Sequence, residues 1–292
     1  MNDPALLAFL AWAAPRLGLR LRGIAHFRRT IGKRLVRRFA ELGIGGLEDY
    51  RVALDGDPGE WTALAAMCRI PISRLYRDHA MWDRLAAEIL PERARLARSE
   101  GREVVRVWSA GCASGEEPYS VAMIWRVNIA PSHPEARLEV MATDADEDIL
   151  ARARRGEYGR GSLRELPARL RDPCLQPAGT LLRVDDACRA AVTFRCQDLR
   201  RARPEGMFDV ILCRNVLLTY IEEQAHAPLL AEIAAQLLPD GALVVGARES
   251  MPADSIRAGV TSAFALLEPW PAQRTAEPCP LAGVYRRIRA PR

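Results

Sequence analysis

The residues best suited to chemistry form a glycine-bearing turn that runs from an apolar segment into two adjacent carboxylates. The turn extends from Gly111 to Gly115 and is followed directly by Glu116 and Glu117. Glycine lets a backbone approach a ligand closely, and a helix that begins at the carboxylates offers unpaired N–H groups. A nucleotide-like ligand is therefore favoured at the carboxyl end of this strand. Because acidic residues disfavour a phosphate, the pattern predicts a cationic or hydroxyl-rich ligand. S-adenosylmethionine (SAM), with its sulfonium, ammonium and ribose diol, fits that description.

Polar residues follow three further apolar segments, each where a strand is expected to end. Asp144 ends LEVMATD and is predicted to bind both ribose hydroxyls. Asp198 ends VTFRCQD, where it could accept a hydrogen bond from the adenine amino group while the backbone of Leu199 supplies the complementary donor. Either aspartate could instead cap a helix or stabilise a turn. Arg214 and Asn215 end FDVILCRN and are expected beside the transferable methyl group.

The segments that position these residues alternate between strand and helix from residue 103 onward. The predicted strands are 103–109, 138–143, 191–195, 208–213, 242–247, 263–268 and 283–288, and the predicted helices among them are 115–129, 146–154, 222–237 and one near 253–258. The central strands are continuous apolar runs, as in a parallel sheet covered on both faces. We therefore predict an α/β, Rossmann-like fold of the class I SAM methyltransferase type, with a final antiparallel hairpin.

A small all-helical N-terminal domain is predicted before this sheet. Its apolar spacing indicates helices at 4–14, 24–42, 46–54 and 58–68, and a further helix at 78–98. We assign 1–74 to a helical substrate-recognition domain, 75–102 to a linking helix and 103–292 to the SAM-binding domain.

Residues 156–198 interrupt the alternation as a short insert, in which Ser162 with Glu165 predicts a capping box and 181–184 a short strand. A substrate-facing element and a solvated connection are equally supported for this insert.

Composition narrows the class of protein further. The chain has 292 residues, of which 49% are hydrophobic and 27% charged, which is typical of a globular protein. The apolar segment 5–14 stops at Pro15 and lacks a preceding positive charge, so it predicts a helix rather than a signal peptide. We expect a cytoplasmic location and no membrane insertion. The seven cysteines form no C-x-x-C pair, and we expect reduced thiols and no metal site.

Positive charge is concentrated near the N-terminus, since no acidic residue lies between Asp3 and Glu41. The predicted helix 24–42 carries six basic residues, which are Arg28, Arg29, Lys33, Arg34, Arg37 and Arg38. This pattern predicts a surface for an acidic partner, although a solvated charged face would look the same. Few aromatic residues are interleaved with the basic ones, so we expect no nucleic-acid partner.

Four motifs in the same order resemble the CheR family, methyltransferases that esterify glutamates on bacterial chemoreceptors. They are the string VRVWSAGCASGEEPYS at 105–120, FDVILCRN at 208–215, LLPDGALVVGA at 237–247, and IPISRLYR at 70–77. The last is similar to a Thr-x-Phe-Phe-Arg signature, and the likeness covers about residues 20–290. The resemblance implies a cofactor-binding set, which is Ser73, Arg77, Gly111, Glu117, Asp144, Asp198, Leu199, Arg214 and Asn215.

The same resemblance implies SAM as cofactor, S-adenosylhomocysteine as product and an acidic, helical chemoreceptor segment as substrate. It places the basic helix against that substrate. A glutamate is already ionised at neutral pH, so the transfer needs alignment rather than a general base. Arg77 is the residue implied to orient the carboxylate as a catalytic group.

At three positions the chain departs from the family pattern that it resembles, which indicates a divergent member. Pro71 stands where the family often has asparagine, and Asp198 where asparagine is common. The family string CRN-x-x-x-Tyr-Phe reads CRNVLLTYI, so that Thr219 occupies the tyrosine position and Tyr220 follows it. Three alternatives stay open: the tyrosine is dispensable, the enzyme acts on another protein or a small acid, or the chain is a non-catalytic SAM-binding scaffold.

Overall fold

A computed structural model describes residues 3–70, 73–247, 249, 267–270 and 283–287. Two compact units make up the chain: Met1–Pro71 with Val216–His226, and Ile72–Asn215 with Ala227–Arg292. A short stretch after Asn215 therefore belongs to the helical unit, and the segment predicted as a link belongs to the sheet unit.

The first unit is a helical cluster with an apolar centre. Its helices are Asp3–Arg16, Leu21–Ala25, Arg28–Leu42, Leu47–Gly56 and Pro58–Cys68, followed much later in the chain by Leu217–Tyr220 and a 3₁₀ turn at Glu223–Ala225. Leu10, Ile24, Ile31 and Leu64 are completely buried in this core. The helix predicted at 24–42 is in fact two helices, with the break at His26 and Phe27.

Local chemistry sets several of these helix ends. Gly43 ends Arg28–Leu42 in the left-handed conformation, at φ 67°, which glycine adopts without strain. Asp57 caps the start of the helix Pro58–Cys68, since its carboxylate accepts a hydrogen bond from the Gly59 N–H at 2.7 Å.

The second unit opens with a helical segment that packs in its core. It runs as His79–Arg84, a π-helical turn at Leu85–Ile89 and Leu90–Ser99. Trp82, Leu85, Ile89 and Leu90 are completely buried in the same apolar cluster as the strands of the sheet. The predicted helix 78–98 is thus confirmed, with one wider turn in its middle.

A sheet of seven strands, counted among the described residues, forms the centre of this unit. Strands are numbered in chain order, and β3 to β5 belong to the insert described below. The strands of the central sheet are β1 (Val104–Ala110), β2 (Arg137–Asp144), β6 (Val192–Cys196), β7 (Phe208–Cys213), β8 (Leu237–Val245), β9 (Leu267–Pro269) and β10 (Val284–Arg287). Their order is β6-β2-β1-β7-β8-β10-β9. The first five are parallel, and β10 pairs antiparallel with both β8 and β9. The expected final hairpin is confirmed.

Helices cover this sheet as predicted. They are Glu116–Ile124 with a π-helical turn at Trp125–Ile129, Glu147–Arg155, and His226–Ala235. The eighth strand begins five residues before the predicted start at 242. The predicted helix near 253–258 and residues 263–266 of the predicted strand 263–268 lie outside the described residues.

The insert is a folded element with its own small antiparallel sheet. The strands β3 (Glu157–Tyr158), β4 (Leu175–Ala178) and β5 (Leu181–Val184) are ordered β3-β5-β4, so the short strand predicted at 181–184 is confirmed. Helices Arg160–Leu163, Ala168–Cys174 and Asp186–Ala190 accompany them.

The predicted capping box in the insert is wrong. Ser162 lies inside the short helix, where its hydroxyl donates to Glu116, and Glu165 instead pairs with Arg74.

Candidate cofactor and active site

The glycine turn after β1 lies against the end of β2. The carbonyl of Thr143 accepts hydrogen bonds from the N–H groups of Gly111 at 2.7 Å and Cys112 at 2.9 Å. Gly111 and Gly115 both have positive φ, 72° and 90°, and so does Ala113 at 48°. The turn therefore follows a path that glycine permits, at the carboxyl edge where parallel α/β sheets bind ligands.

Asp144 faces this turn at the end of β2. Its carboxylate accepts from the Ala113 N–H at 2.9 Å and from the Asp146 N–H at 3.1 Å. The helix that follows is capped by Asp146, which accepts from the Ile149 N–H at 3.1 Å. Asp144 is thus not the helix cap, and it stands at the strand end where the ribose role requires an acid.

The two carboxylates after the turn have different surroundings, although both are buried. Glu116 accepts hydrogen bonds from the Ser114 and Ser162 hydroxyls, which tie the turn to the insert. Glu117 accepts from the Ser109 hydroxyl at 2.7 Å and from Arg214 Nη1 at 3.2 Å. Burial raises the pKa of Glu117, and the Arg214 guanidinium and the Ser109 hydrogen bond oppose that shift. A cationic ligand would be the natural counter-charge for such a group.

Arg214 bridges Glu117 and a second acid, Asp78. Its Nη2 donates to Asp78 Oδ2 at 2.5 Å and to the Arg77 carbonyl at 3.2 Å, and the guanidinium lies 5.4 Å from the Trp82 ring centre. The Arg214 side chain is only 6% exposed. The prediction that Arg214 lies in the same site as Glu117 agrees with this geometry.

The segment that carries Ser73 and Arg77 is held onto the second unit by its backbone. Its anchoring contacts are Leu75 N–H to the Ser162 carbonyl at 3.0 Å, Tyr76 N–H to Ser120 Oγ at 3.0 Å, and Trp82 Nε1 to the Arg77 carbonyl at 2.7 Å. Tyr76 and Asp78 have φ values of 61° and 67°. This tight turn brings Arg77 next to Arg214, while Ser73 is half-buried at its start.

Asn215 follows Arg214 in a left-handed conformation, at φ 56°. Its N–H donates to Glu249 Oε2 at 2.9 Å, and the same oxygen accepts from the Gly246 N–H at 2.7 Å. A cavity of about 280 Å³ opens at the end of β8, lined by Asp78, His79, Ala80, Met81, Val245, Ala247 and Val284.

Asp198 and Leu199 follow β6 as predicted, but the aspartate already has a partner. Its carboxylate accepts from the Arg200 backbone N–H at 2.9 Å and pairs with the Arg200 guanidinium at 2.6 Å. Leu199 is buried. The turn-stabilising role of Asp198 is therefore present in the structure, and its contact with adenine stays a prediction.

The six predicted substrate-binding residues divide into two groups. Three have structural partners: Arg28 pairs with Asp3, Arg34 donates to the Met67 and Arg69 carbonyls, and Arg38 pairs with Glu60. The other three, Arg29, Lys33 and Arg37, are exposed and spaced by four residues along one face of the helix Arg28–Leu42. We call these three the basic stripe.

Sequence reasoning missed Asp78, Trp82 and Glu249. Asp78 directly follows the predicted Arg77, and Glu249 comes shortly after the predicted strand 242–247, so proximity to a strand end was the available signal for Glu249. Among the described residues, no group of three or more His, Cys, Asp or Glu side chains could hold a metal ion. Within that same part of the chain, no helix is long and apolar enough to cross a membrane.

The residues at this edge fit SAM. Glu117 and Asp144 suit the ammonium and ribose hydroxyls, and the glycine turn allows close approach. Arg214 Nε is buried and has no hydrogen-bond partner among the described residues, so a carboxylate such as the one in SAM would supply its acceptor.

The strand order and these acidic strand ends define a class I SAM-dependent methyltransferase. The chain belongs to the CheR family, since residues 72–263 match the family model described as CheR methyltransferase, SAM binding domain.

Curated relatives agree with this assignment. The chain is 35% identical over 191 residues to a chemotaxis protein methyltransferase of Listeria monocytogenes, covering 65% of this chain and 70% of the relative. It is 31% identical to the chemotaxis protein methyltransferase of Escherichia coli, covering 77% of each. It is also 28% identical to a probable biofilm formation methyltransferase, WspC, of Pseudomonas aeruginosa, covering 76% of this chain and 53% of that protein.

Proposed function

We propose that this enzyme transfers the methyl group of SAM to glutamate side-chain carboxylates of a chemoreceptor-like protein. The products are glutamyl methyl esters and S-adenosylhomocysteine. Two relatives named chemotaxis protein methyltransferases support the substrate class. The cytoplasmic location, which the substrate's signalling segment requires, belongs to the same proposal.

The observation that carries the proposal is the connection of Arg77 to the Arg214–Glu117 pair. The Arg77 carbonyl accepts from both Trp82 Nε1 and Arg214 Nη2, so the backbone of Arg77 is fixed beside the residues proposed to bind SAM. A guanidinium can hold a carboxylate through two parallel hydrogen bonds. We assign Arg77 the role of orienting the substrate glutamate.

Methylation of a carboxylate requires few further catalytic groups from this chain. Bound SAM supplies an electrophilic methyl carbon, and a glutamate acceptor is already ionised at neutral pH, so no general base is needed. Glu117 and Asp144 would bind the cofactor's ammonium and ribose hydroxyls, with Ser73, Gly111, Asp198, Leu199, Arg214 and Asn215 completing the proposed set. Methyl transfer would then be accelerated by alignment of the carboxylate with the methyl carbon and by exclusion of water.

The basic stripe supports an acidic substrate. Arg29 and Lys33 make no ion pair among the described residues, and Arg37 reaches only Glu41, at 3.6 Å. Like charges four residues apart on a helix repel each other and destabilise it slightly. A partner with acidic helices would relieve that repulsion, and we propose the helical unit as the substrate-recognition domain.

A second candidate is methyl transfer to a different acidic protein or small acid. It is favoured by the position of Tyr220, whose ring packs against the core of the helical unit, while Thr219 stands at the usual tyrosine position. Under this alternative, Thr219→Tyr leaves receptor methylation unchanged. A gain in receptor methylation would instead support the first proposal.

The test uses purified protein, methyl-labelled SAM and membranes from the source organism. Mild base hydrolyses methyl esters, so volatile labelled methanol released from a receptor-sized band is the expected result. The matched control is Asp144→Ala, which should give much less label at a SAM concentration near the dissociation constant of the wild type. Base-stable label would reject glutamyl esterification, and no label despite SAM binding would favour the redirected enzyme or a scaffold.

A further inference from the structure

Glu249 joins the loops that follow two neighbouring strands. The strands β7 and β8 run parallel with Cys213 opposite Val245, so the chain leaves both at the same edge. Glu249 Oε2 then accepts hydrogen bonds from the N–H of Asn215 at 2.9 Å and the N–H of Gly246 at 2.7 Å. One carboxylate oxygen therefore holds both loops.

The packing around this carboxylate is tight. Glu249 is only 7% exposed, and its own N–H donates to the Gly246 carbonyl at 2.8 Å. A Cβ atom at Gly246 would lie 2.8 Å from both Asn215 Nδ2 and Glu249 Oε2. A real Cβ atom does not approach other atoms this closely, so a Cβ atom at this position would displace the end of the Asn215 or Glu249 side chain.

Asn215 needs such support because of its backbone. A φ of 56° is uncommon for a residue other than glycine, although asparagine adopts it more readily than most residues, and surrounding contacts must offset its cost in free energy. The Glu249 carboxylate supplies a strong, charge-assisted acceptor to the N–H of that residue. It is also close enough to Glu117 that its negative charge adds to the burial that raises the pKa of Glu117.

We infer that Glu249 is a positioning residue for SAM binding, because it holds Asn215, and through it Arg214, in the geometry that receives the cofactor. This inference rests on the proposed cofactor site at Arg214 and Asn215. Glu249 need not touch SAM, and its contribution is to preorganise residues that do.

The experiment measures the dissociation constant of SAM by calorimetry for the full chain and its variants. Glu249→Ala should weaken SAM binding at least tenfold. Glu249→Gln keeps an amide oxygen at the same place and should stay within about threefold of the wild type. Gly246→Ala pushes on the same contact from the other side and should weaken binding as Glu249→Ala does, which provides a second variant if Glu249→Ala does not fold.

Two controls separate positioning from general stability and from the site itself. Val105→Ala removes core volume near the amino end of β1, so it should lower the unfolding temperature and leave SAM affinity unchanged. Asp144→Ala tests the cofactor site. Normal SAM affinity in Glu249→Ala, or an equal loss in Glu249→Gln, would overturn the inference. Normal affinity in Asp144→Ala would instead reject the proposed site.

Discussion

Arg214 lies between two carboxylates, 2.5 Å from Asp78 Oδ2 and 3.2 Å from Glu117 Oε2. Asp78 belongs to the segment before the sheet, and Glu117 to the helix after the glycine turn. The guanidinium therefore fixes the Arg77 segment and the cofactor turn relative to the same strand end. Sharing one arginine between two acids leaves Glu117 with less than a full counter-charge, which suits a group that is to bind a cation.

The first prediction concerns Glu117. Burial raises the pKa of this carboxyl above its ordinary value, so the folded protein binds its proton more tightly than the unfolded chain does. Without SAM, ionised Glu117 therefore costs stability above its unfolded pKa, and the cost grows as pH rises through the raised folded value. Glu117→Gln should remove that cost, so it should unfold at higher urea than the wild type at pH 7.

The same variant should bind SAM at least tenfold more weakly, because a neutral amide cannot neutralise the ammonium. Urea unfolding from pH 4 to pH 8 checks the sign: the advantage of Glu117→Gln should disappear toward the acid end. Ser109→Ala is the control, since it removes a hydrogen bond to Glu117 and leaves the charge of Glu117 in place. A variant less stable than the wild type at pH 7 would contradict the argument.

The second prediction concerns Asp144. Asp144→Ala removes a paired acceptor for two ribose hydroxyls, and SAM binding should weaken by about 2–3 kcal/mol. The structure adds a cost, because Asp144 also accepts from the Ala113 N–H and so supports the glycine turn. Asp144→Asn keeps one acceptor oxygen and should lose less. Calorimetry with SAM checks that affinity falls from the wild type to Asp144→Asn and then to Asp144→Ala. Equal affinities for all three proteins would show that the ribose does not bind at this strand end.

Sequence patterns sufficed to predict the sheet and which residues follow its strands. Continuous apolar runs identify buried parallel strands, and the residue after such a run lies at the carboxyl edge, which is where the structure places Asp144 and Arg214. Glu117 lies in the following helix and was implied by the family resemblance, and the roles of all three residues toward SAM stay predictions. The start of β8 was missed because Pro239 and Asp240, the latter at φ 61°, read as a turn rather than as part of a strand.

Contacts between distant loops could not be predicted in the same way. Asp78 meets Arg214 across 136 residues, and Arg34 caps a helix 33 residues further along. The periodicity of the sequence does not predict such pairs, because they depend on where tertiary packing places each loop. For that reason the sequence could not tell the exposed basic residues from those with structural partners.

The third prediction separates those two kinds of basic residue. Arg29→Glu with Lys33→Glu reverses two exposed charges, so it should raise the KM for the protein substrate severalfold and leave SAM affinity and unfolding temperature unchanged. The effect should shrink at high salt, because salt screens exposed charges. Methylation kinetics at two ionic strengths provide the measurement.

Arg34→Glu is the matched charge reversal on the same helix. It should destabilise the helical unit by about 2 kcal/mol, since Arg34 donates to two carbonyls at the end of the helix Pro58–Cys68. If the double variant methylates substrate normally, the basic stripe is not the substrate surface.

The last prediction concerns Gly23, which allows the segment 216–226 to pack closely in the helical unit. A Cβ atom at this position would lie 2.4 Å from the Thr219 carbonyl oxygen, and neighbouring Arg20 donates its N–H to the Tyr220 carbonyl at 2.8 Å. Gly23→Ala should therefore push the chain at 219–220 away and destabilise the unit by about 1–3 kcal/mol. Gly56→Ala is the control, because a Cβ atom there meets nothing within 4 Å, and it should leave stability unchanged or slightly raised. Urea unfolding of both variants decides the matter, and equal stability of the two would mean that the segment after Asn215 is not held by this contact.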